Sequence, residues 1–268
     1  LLQSKEKYFG LVSDKTATFK QFFTTLKGAT SGNDSPLKRM FITGVTPMTM
    51  YDVTSGFNIG YNISIREDFS QMVGLTQEEV DELLNYYQVD VDKKILKEWY
   101  DNYIFNENAP SIYNSDMILY FISNFQANRN SIPREMIDIN VRSDYSKLRH
   151  IIYTNHKLNG NFDILRDLIA GETISLDNLV QDFSALNLEK ENNFKSLLFY
   201  LGLTTIKNRE FEMNFHIPNE TIKRIDSEFL DRSLELEEVF KLNVNKFEKL
   251  LKSFALEGDI EVFKFLAE

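Results

Sequence analysis

The polar side chains best placed to contact a ligand follow an apolar stretch near the N-terminus. Residues 38–45, KRMFITGV, become apolar and β-branched toward their end and predict a short buried strand with Thr43 at its C-terminal end. A loop of small polar residues that includes Ser55 and Asn58 follows. Ligands in α/β sheets bind beyond the carboxyl ends of strands. Thr43, Ser55 and Asn58 are therefore candidate ligand contacts, with turn capping as the alternative role for each.

Arg142, in the sequence INVRSDY, is the fourth candidate. A guanidinium stabilises a phosphoryl group during transfer, so Arg142 could act as a trans-acting or sensor arginine. The alternative is an ion pair within the chain, with Asp138 or Asp144 as the partner.

Several other chemistries find no support in the residue types and their spacing. The chain has no cysteine, which excludes disulfides, thiolate zinc sites and a cysteine nucleophile. His150 and His156 are six residues apart and do not share a helix face, and His216 is remote, so we assign no metal ligand. No Ser-His-Asp or paired-carboxylate pattern is present, and we assign no catalytic residue. The triplet Asp92-Lys93-Lys94 is interpreted as charge at a helix start.

Composition limits the possible partners and locations. The 268 residues are 43% hydrophobic, enough for a sizeable core, and the net charge is −10. An acidic chain repels phosphate backbones, so nucleic-acid binding has only weak support and would need a local basic patch. The longest apolar run, 197–201, is far shorter than the roughly 18 residues of a membrane span. We expect no membrane segment and a cytoplasmic location.

Helical spacing of apolar residues dominates the chain. Thr76 and Glu79 form a capping-box pattern at the start of an amphipathic stretch. Gly171 is a C-cap at the end of the amphipathic stretch 161–170. A stretch with Pro133, 126–140, interrupts the pattern. Helices are predicted over 14–27, from 76, and over 92–100, 114–125, 143–155, 161–170 and 191–202, with an amphipathic tail over the last forty residues.

A β-hairpin is predicted over 203–217, with Lys207 to Glu210 at its tip. Because helix 191–202 precedes it, the order helix, strand, polar turn, strand matches the end of a winged helix. In a DNA-reading winged helix this helix would lie in the major groove. It carries one lysine among apolar and amide residues, which favours a packing role instead.

Six blocks resemble, in order, the AAA-ATPase-like domain family, which comprises mainly bacterial P-loop ATPase-like proteins commonly joined to a C-terminal PD-(D/E)XK-superfamily nuclease domain. The resemblance covers roughly residues 10 to 225. The blocks are FITGVTPMTM with DVTSGFNI, FSQMVGLTQEEVDELL, EWYDNYIF, IYNSDMILYFI, SLLFYLGLTTI and IPNETIKR.

The resemblance implies a mostly α fold with some β structure. Residues 1–75 would be the C-terminal part of an α/β P-loop ATPase-like core, and 76–140 a helical region. Residues 141–225 would form a winged-helix-like domain, and 226–268 a helical tail leading toward an absent C-terminal domain. In this arrangement Thr43 takes the place of a sensor aimed at the γ-phosphate. In EWYDNYIF, Asn102 stands where the family usually has glycine, and Asn tolerates the positive φ of a structural turn.

The resemblance also implies that the full-length protein binds and hydrolyses ATP with Mg²⁺, with the nuclease domain as a candidate for coupling. These 268 residues contain no G-x-x-x-x-G-K-[ST] phosphate loop. We therefore expect a fragment that is inactive alone and holds no cofactor. Its partners would be the N-terminal ATPase half and the nuclease domain of the same protein. The alternative is a non-catalytic module that binds protein or nucleic acid.

Overall fold

The computed structural model describes residues 18–30, 34–44, 61–142, 161–231 apart from 182, 185, 186 and 189, and 243–267. Over these residues the fold is mixed, about 49% helical, with a small antiparallel sheet. The helices are α1 (Thr18–Thr30), a 3₁₀ turn (Glu67–Phe69), α2 (Gln77–Tyr86), α3 (Lys93–Tyr100), α4 (Ser115–Ala127), α5 (Phe162–Ile169), α6 (Glu191–Tyr200), α7 (Glu220–Asp231), α8 (Val244–Glu257) and α9 (Glu261–Ala267). The strands are β1 (Ile174–Leu176), β2 (Thr205–Arg209) and β3 (Met213–His216).

Helices α2, α3 and α4 form the first core. Each begins at a side-chain cap: the Thr76 capping box, Asp92 accepting from the Lys94 N–H, and Asn114 accepting from the Met117 N–H. Apolar residues at helical spacing then turn inward and fill the space between the helices. The buried apolar members are Val80, Leu84, Val89, Leu96, Tyr100, Tyr113, Met117, Ile118, Phe121, Ile122, Phe125 and Met136.

Gly74 fixes the entry into α2. Its φ is +108°, and an added Cβ would lie 2.5 Å from Ile112 Cδ1 and 2.8 Å from the Tyr113 carbonyl oxygen. The next residue, Leu75, forms an isolated antiparallel bridge with Tyr113. The close approach that this bridge needs leaves room only for glycine.

The second core lies between the sheet and helices α5, α6 and α7. The strand order is β1-β3-β2, with Ile174 opposite Phe215 and Ile206 opposite the same residue on the other side. Leu197 and Leu198 of α6 are completely buried against these strands. The sheet therefore has one apolar face, and α6 covers it.

The predicted hairpin over 203–217 is confirmed, directly after α6. Its turn lies at Glu210 to Glu212, two residues beyond the centre predicted from the polar residues 207–210, because β2 continues to Arg209. The pairing register shifts between Ile206 and Asn208, which inserts a bulge and lengthens the strand. Strand β1 was not predicted, because three residues carry too little periodicity to be recognised.

The predicted strand over 38–45 is wrong for residues 38–44, which contain no strand, and Val45 lies outside the described residues. Phe41 and Ile42 are 64% and 40% exposed, and Thr43 is exposed as well. A strand needs a neighbouring strand for its backbone hydrogen bonds, and no described segment pairs with this one. The prediction rested on the apolar composition of the segment, which does not supply a strand to pair with.

The other helix predictions have mixed outcomes. Helices over 92–100, 114–125, 161–170 and 191–202 are confirmed within two residues, and the tail contains α8 and α9. Helix α1 is confirmed from Thr18, and its Phe22 side chain is 57% exposed. The helix over 143–155 lies outside the described residues. No helix in the described part of the chain is long and apolar enough to cross a membrane.

Candidate functional site

The segment EWYDNYIF leaves α3 and makes a tight turn at Asn102. The φ of Asn102 is +72°, so the turn predicted at this position is confirmed with asparagine in the left-handed region. Beyond the turn, Tyr103 forms an antiparallel bridge with Ile112. The segment thus leaves the first core and enters the second, and we call its contacts with β2 and α7 the junction.

The last carbonyl groups of α3 are hydrogen-bonded by the first turn of α7. Thr221 Oγ1 donates to the Trp99 carbonyl oxygen at 2.7 Å, and Asn219 Nδ2 donates to the Asp101 carbonyl oxygen at 2.8 Å. Asn219 Oδ1 also accepts from the Ile222 N–H at 3.1 Å. Asn219 therefore caps α7 at its N-terminus while it binds the C-terminal end of α3.

Thr205, the first residue of β2, fastens the sheet to the same segment. Its hydroxyl oxygen accepts from the Ile104 N–H at 2.6 Å and donates to the Ile104 carbonyl oxygen at 3.2 Å. Thr205 is only 1% exposed. One hydroxyl thus contacts both backbone groups of a residue 101 positions away, and the Ile206 N–H also donates to the Ile104 carbonyl oxygen at 3.4 Å.

Trp99 and Arg224 close the outer side of the junction. The Arg224 guanidinium carbon lies 4.4 Å from the centre of the indole ring, in cation–π geometry. The same guanidinium binds the Glu220 carboxylate at 3.1 Å. Trp99 is half-buried and packs against both cores.

Two buried carboxyl groups lie on the elements that meet here. Asp226 of α7 is 2% exposed, and neither of its oxygens has a hydrogen-bond partner among the described residues. Burial raises the pKa of Asp226 well above its ordinary value, which favours the neutral acid. Asp101 is also 2% exposed, with Oδ1 unpartnered and Oδ2 3.9 Å from Lys97 Nζ.

The junction also holds a buried phenol. Burial raises the pKa of Tyr103, with the charge of Asp226 as a smaller contribution in the same direction. Both shifts favour neutral groups, so the junction resembles a polar core contact more than an acid–base pair. In the described part of the chain no three His, Cys, Asp or Glu residues are grouped to hold a metal ion.

Of the three candidate ligand contacts near the N-terminus, the structure describes only Thr43. Thr43 lies on an exposed stretch without regular structure, and Ser55 and Asn58 lie outside the described residues. The predicted proximity of Thr43 to the loop with Ser55 and Asn58 therefore stays a prediction. The strand that was expected to position Thr43 is absent.

Arg142 lies beside two glutamates. Its Nη2 is 3.8 Å from Glu135 Oε2 and 3.6 Å from Glu228 Oε1, and its backbone N–H donates to the Asp138 carbonyl oxygen. The guanidinium Nε is buried without a partner among the described residues. The alternative role, an ion pair within the chain, is therefore present with acids other than Asp138, and pairing with Asp144, which lies outside the described residues, stays a prediction.

Helix α6 offers little surface for groove reading. Six of its ten residues are buried, and its one lysine, Lys195, binds Glu191 and the Ser175 carbonyl oxygen. Groove reading needs exposed side chains and a basic frame that contacts phosphates. The geometry of α6 is that of a packing helix. The buried members are Asn193, Phe194, Ser196, Leu197, Leu198 and Phe199.

Sequence reasoning missed the polar residues that form the junction. Asn219 follows Pro218 and precedes an amphipathic stretch, so an N-cap was recognisable in principle. The bond from Asn219 to Asp101 joins residues 118 positions apart and has no local signal. Comparison with family models, curated proteins and solved structures finds no match for the chain.

Proposed function

We propose that this chain is the later part of an AAA-ATPase-like protein, where it serves as a non-catalytic unit that connects the ATPase core to other domains. The ordered agreement of six sequence blocks with that family supports the proposal. In this proposal ATP and Mg²⁺ are bound by a phosphate loop outside these 268 residues, and the whole protein is cytoplasmic.

The convergence of three blocks at the junction is the observation that carries the proposal. EWYDNYIF supplies Trp99 to Ile104, SLLFYLGLTTI supplies Thr205, and IPNETIKR supplies Asn219 and Thr221. The first block is about one hundred residues from the other two, and the polar side chains of those two bind its backbone. A rigid connection of this kind suits a unit that transmits movement between domains.

The winged-helix interpretation belongs to the same proposal. A helix, a short strand, a second helix and a hairpin follow in sequence, and the sheet order β1-β3-β2 places the first strand beside the last. This order supports a winged-helix-like unit over 141–225. Because α6 is mostly buried, we assign the unit a packing role. The proposal also assigns residues 1–75 to the P-loop core, with Thr43, Ser55 and Asn58 near the nucleotide and Arg142 as a sensor arginine.

A non-catalytic interaction module is the second candidate. Met72 and Val73, in the block FSQMVGLT, are 52% and 68% exposed on the turn that leads into α2. Adjacent exposed apolar side chains at an ordered turn favour contact with another protein. In this case the chain would bind another protein through this turn and would belong to no ATPase.

Sequencing the coding region upstream of residue 1 separates the two candidates. The ATPase proposal predicts a G-x-x-x-x-G-K-[ST] sequence after a strand, followed by a second strand that ends in acidic residues. An open reading frame that begins close to residue 1 without these features would overturn the proposal and leave the interaction module.

A further inference from the structure

The tip of the β2–β3 hairpin presents a bare aromatic ring to solvent. Phe211 is 99% exposed, more than any other large apolar residue in the described part of the chain. We define the tip as Glu210, Phe211 and Glu212. An aromatic side chain loses favourable free energy when it is left in water, so its placement at the end of a hairpin suits a binding contact.

Hydrogen bonds hold the tip in a fixed conformation. The Glu210 N–H donates to the Glu212 carbonyl oxygen at 3.2 Å across the turn. Arg209, at the end of β2, binds Asn178 Oδ1 at 3.0 Å and Glu107 Oε2 at 3.4 Å. A rigid support lowers the entropy that a contact loses on binding.

The charge of the tip indicates the partner's chemistry. Glu210 and Glu212 are exposed and have no ion pair among the described residues, while Arg209, which precedes Glu210 in the sequence, is paired with Glu107. Two carboxylates on either side of Phe211 repel phosphate groups and attract lysine or arginine. A complementary surface would be apolar at its centre and basic at its edge.

Helix α8 carries such a surface. Lys249, Lys252 and Leu256 follow the spacing i, i+3, i+7 and lie on one helix face, and Leu251 and Ala255 form the adjacent row. All five are exposed, Leu256 to 85% and Leu251 to 48%. Neither lysine has an ion pair among the described residues. Helix α8 as a whole has three lysines and two glutamates in a chain with a net charge of −10.

We propose that the tip of one copy docks on this α8 face of a second copy. Phe211 would lie against Leu256, on the row that it shares with Lys249 and Lys252, and the two glutamates would pair with these lysines. Each copy carries one tip and one α8 face, so the contact joins two different surfaces and is heterologous. Two copies form a closed dimer when the tip of each docks on the α8 face of the other. The inference does not depend on the proposed ATPase relationship.

Sedimentation velocity on the 268-residue chain tests the proposal, over about 1 to 100 μM protein, the range of a weak interface. We expect the average mass of the sedimenting species to rise with protein concentration. Phe211→Ser should weaken self-association at least about tenfold, the equivalent of about 1.4 kcal/mol. Tyr86→Ser, which removes a 79% exposed ring from α2, is the matched control and should leave it unchanged. Circular dichroism of both variants checks that they are folded.

Reversing the charges of the tip and of the α8 face is the most discriminating test of the contact. A variant with Glu210→Lys and Glu212→Lys, and another with Lys249→Glu and Lys252→Glu, should each remain monomeric. Their equimolar mixture should associate, because every tip then faces an oppositely charged helix. A wild-type chain that is monomeric throughout, an equal effect of Tyr86→Ser, or a mixture that stays monomeric would overturn the proposal.

Discussion

Replacing Asn219 with alanine tests whether the junction holds the two cores together. Asn219 makes two buried hydrogen bonds, one that caps α7 through the Ile222 N–H and one to the Asp101 carbonyl oxygen. Loss of an N-cap costs about 1 kcal/mol. A buried carbonyl group left without its partner costs about 1–3 kcal/mol. We therefore expect Asn219→Ala to lower the free energy of unfolding by about 2–4 kcal/mol.

The assay uses the chain's single tryptophan. Trp99 lies at the junction beneath Arg224, so its fluorescence reports directly on this contact during urea unfolding. The matched control is Thr76→Ala, which removes the N-cap of α2 in the first core without touching the second. This control should lower the free energy of unfolding by about 1 kcal/mol. An effect of Asn219→Ala no larger than that of Thr76→Ala would refute the role of the bond to Asp101.

Three further substitutions have expected outcomes. Between pH 3.8 and the raised folded-state pKa of Asp226, the unfolded chain holds fewer protons at this carboxyl than the folded chain, so the free energy of unfolding falls as pH rises. Asp226→Asn should remove this fall, as measured by urea unfolding at several pH values. An unchanged dependence of the free energy of unfolding on pH would contradict the prediction. Thr205→Val keeps the side-chain shape but leaves the Ile104 N–H unpartnered, which should cost about 1–3 kcal/mol in the same assay, whereas no loss would show that the bond is dispensable. Gly74→Ala should lower the thermal midpoint more than Gly171→Ala, because both have positive φ and only Gly74 has atoms within 4 Å of the added Cβ; equal losses would argue against the clash.

Local signals in the sequence predicted local structure correctly. The Thr76 capping box, the Asp92 start of α3 and the hairpin after α6 each depend on residues within a few positions of one another. The positive φ of Asn102 follows from the residue type in a turn. These features needed no tertiary information, because the stabilising contacts lie within a single turn.

Long-range contacts account for the predictions that failed. Residues 38–44 have the composition of a strand, yet composition does not supply a neighbouring strand. Strand β1 is three residues long and exists because β3 pairs with it. Arg142 binds Glu228, which is 86 positions away and could not be chosen over the nearer Asp138 by spacing. The junction was missed for the same reason, because its hydrogen bonds between EWYDNYIF, β2 and α7 join segments that are distant in sequence.

The central claim is that ATP and Mg²⁺ are bound outside these 268 residues. Calorimetric titration with ATP and Mg²⁺ tests it most directly, on the 268-residue chain and on a longer polypeptide that adds the residues encoded upstream. A submicromolar site needs more than about 8 kcal/mol of binding free energy. One charge-assisted hydrogen bond, from Arg142 for example, contributes about 1.5–3 kcal/mol. We predict no saturable binding to the 268-residue chain and saturable binding to the longer polypeptide. Micromolar binding to the 268-residue chain that Thr43→Ala abolishes, or no binding to either polypeptide, would contradict the account.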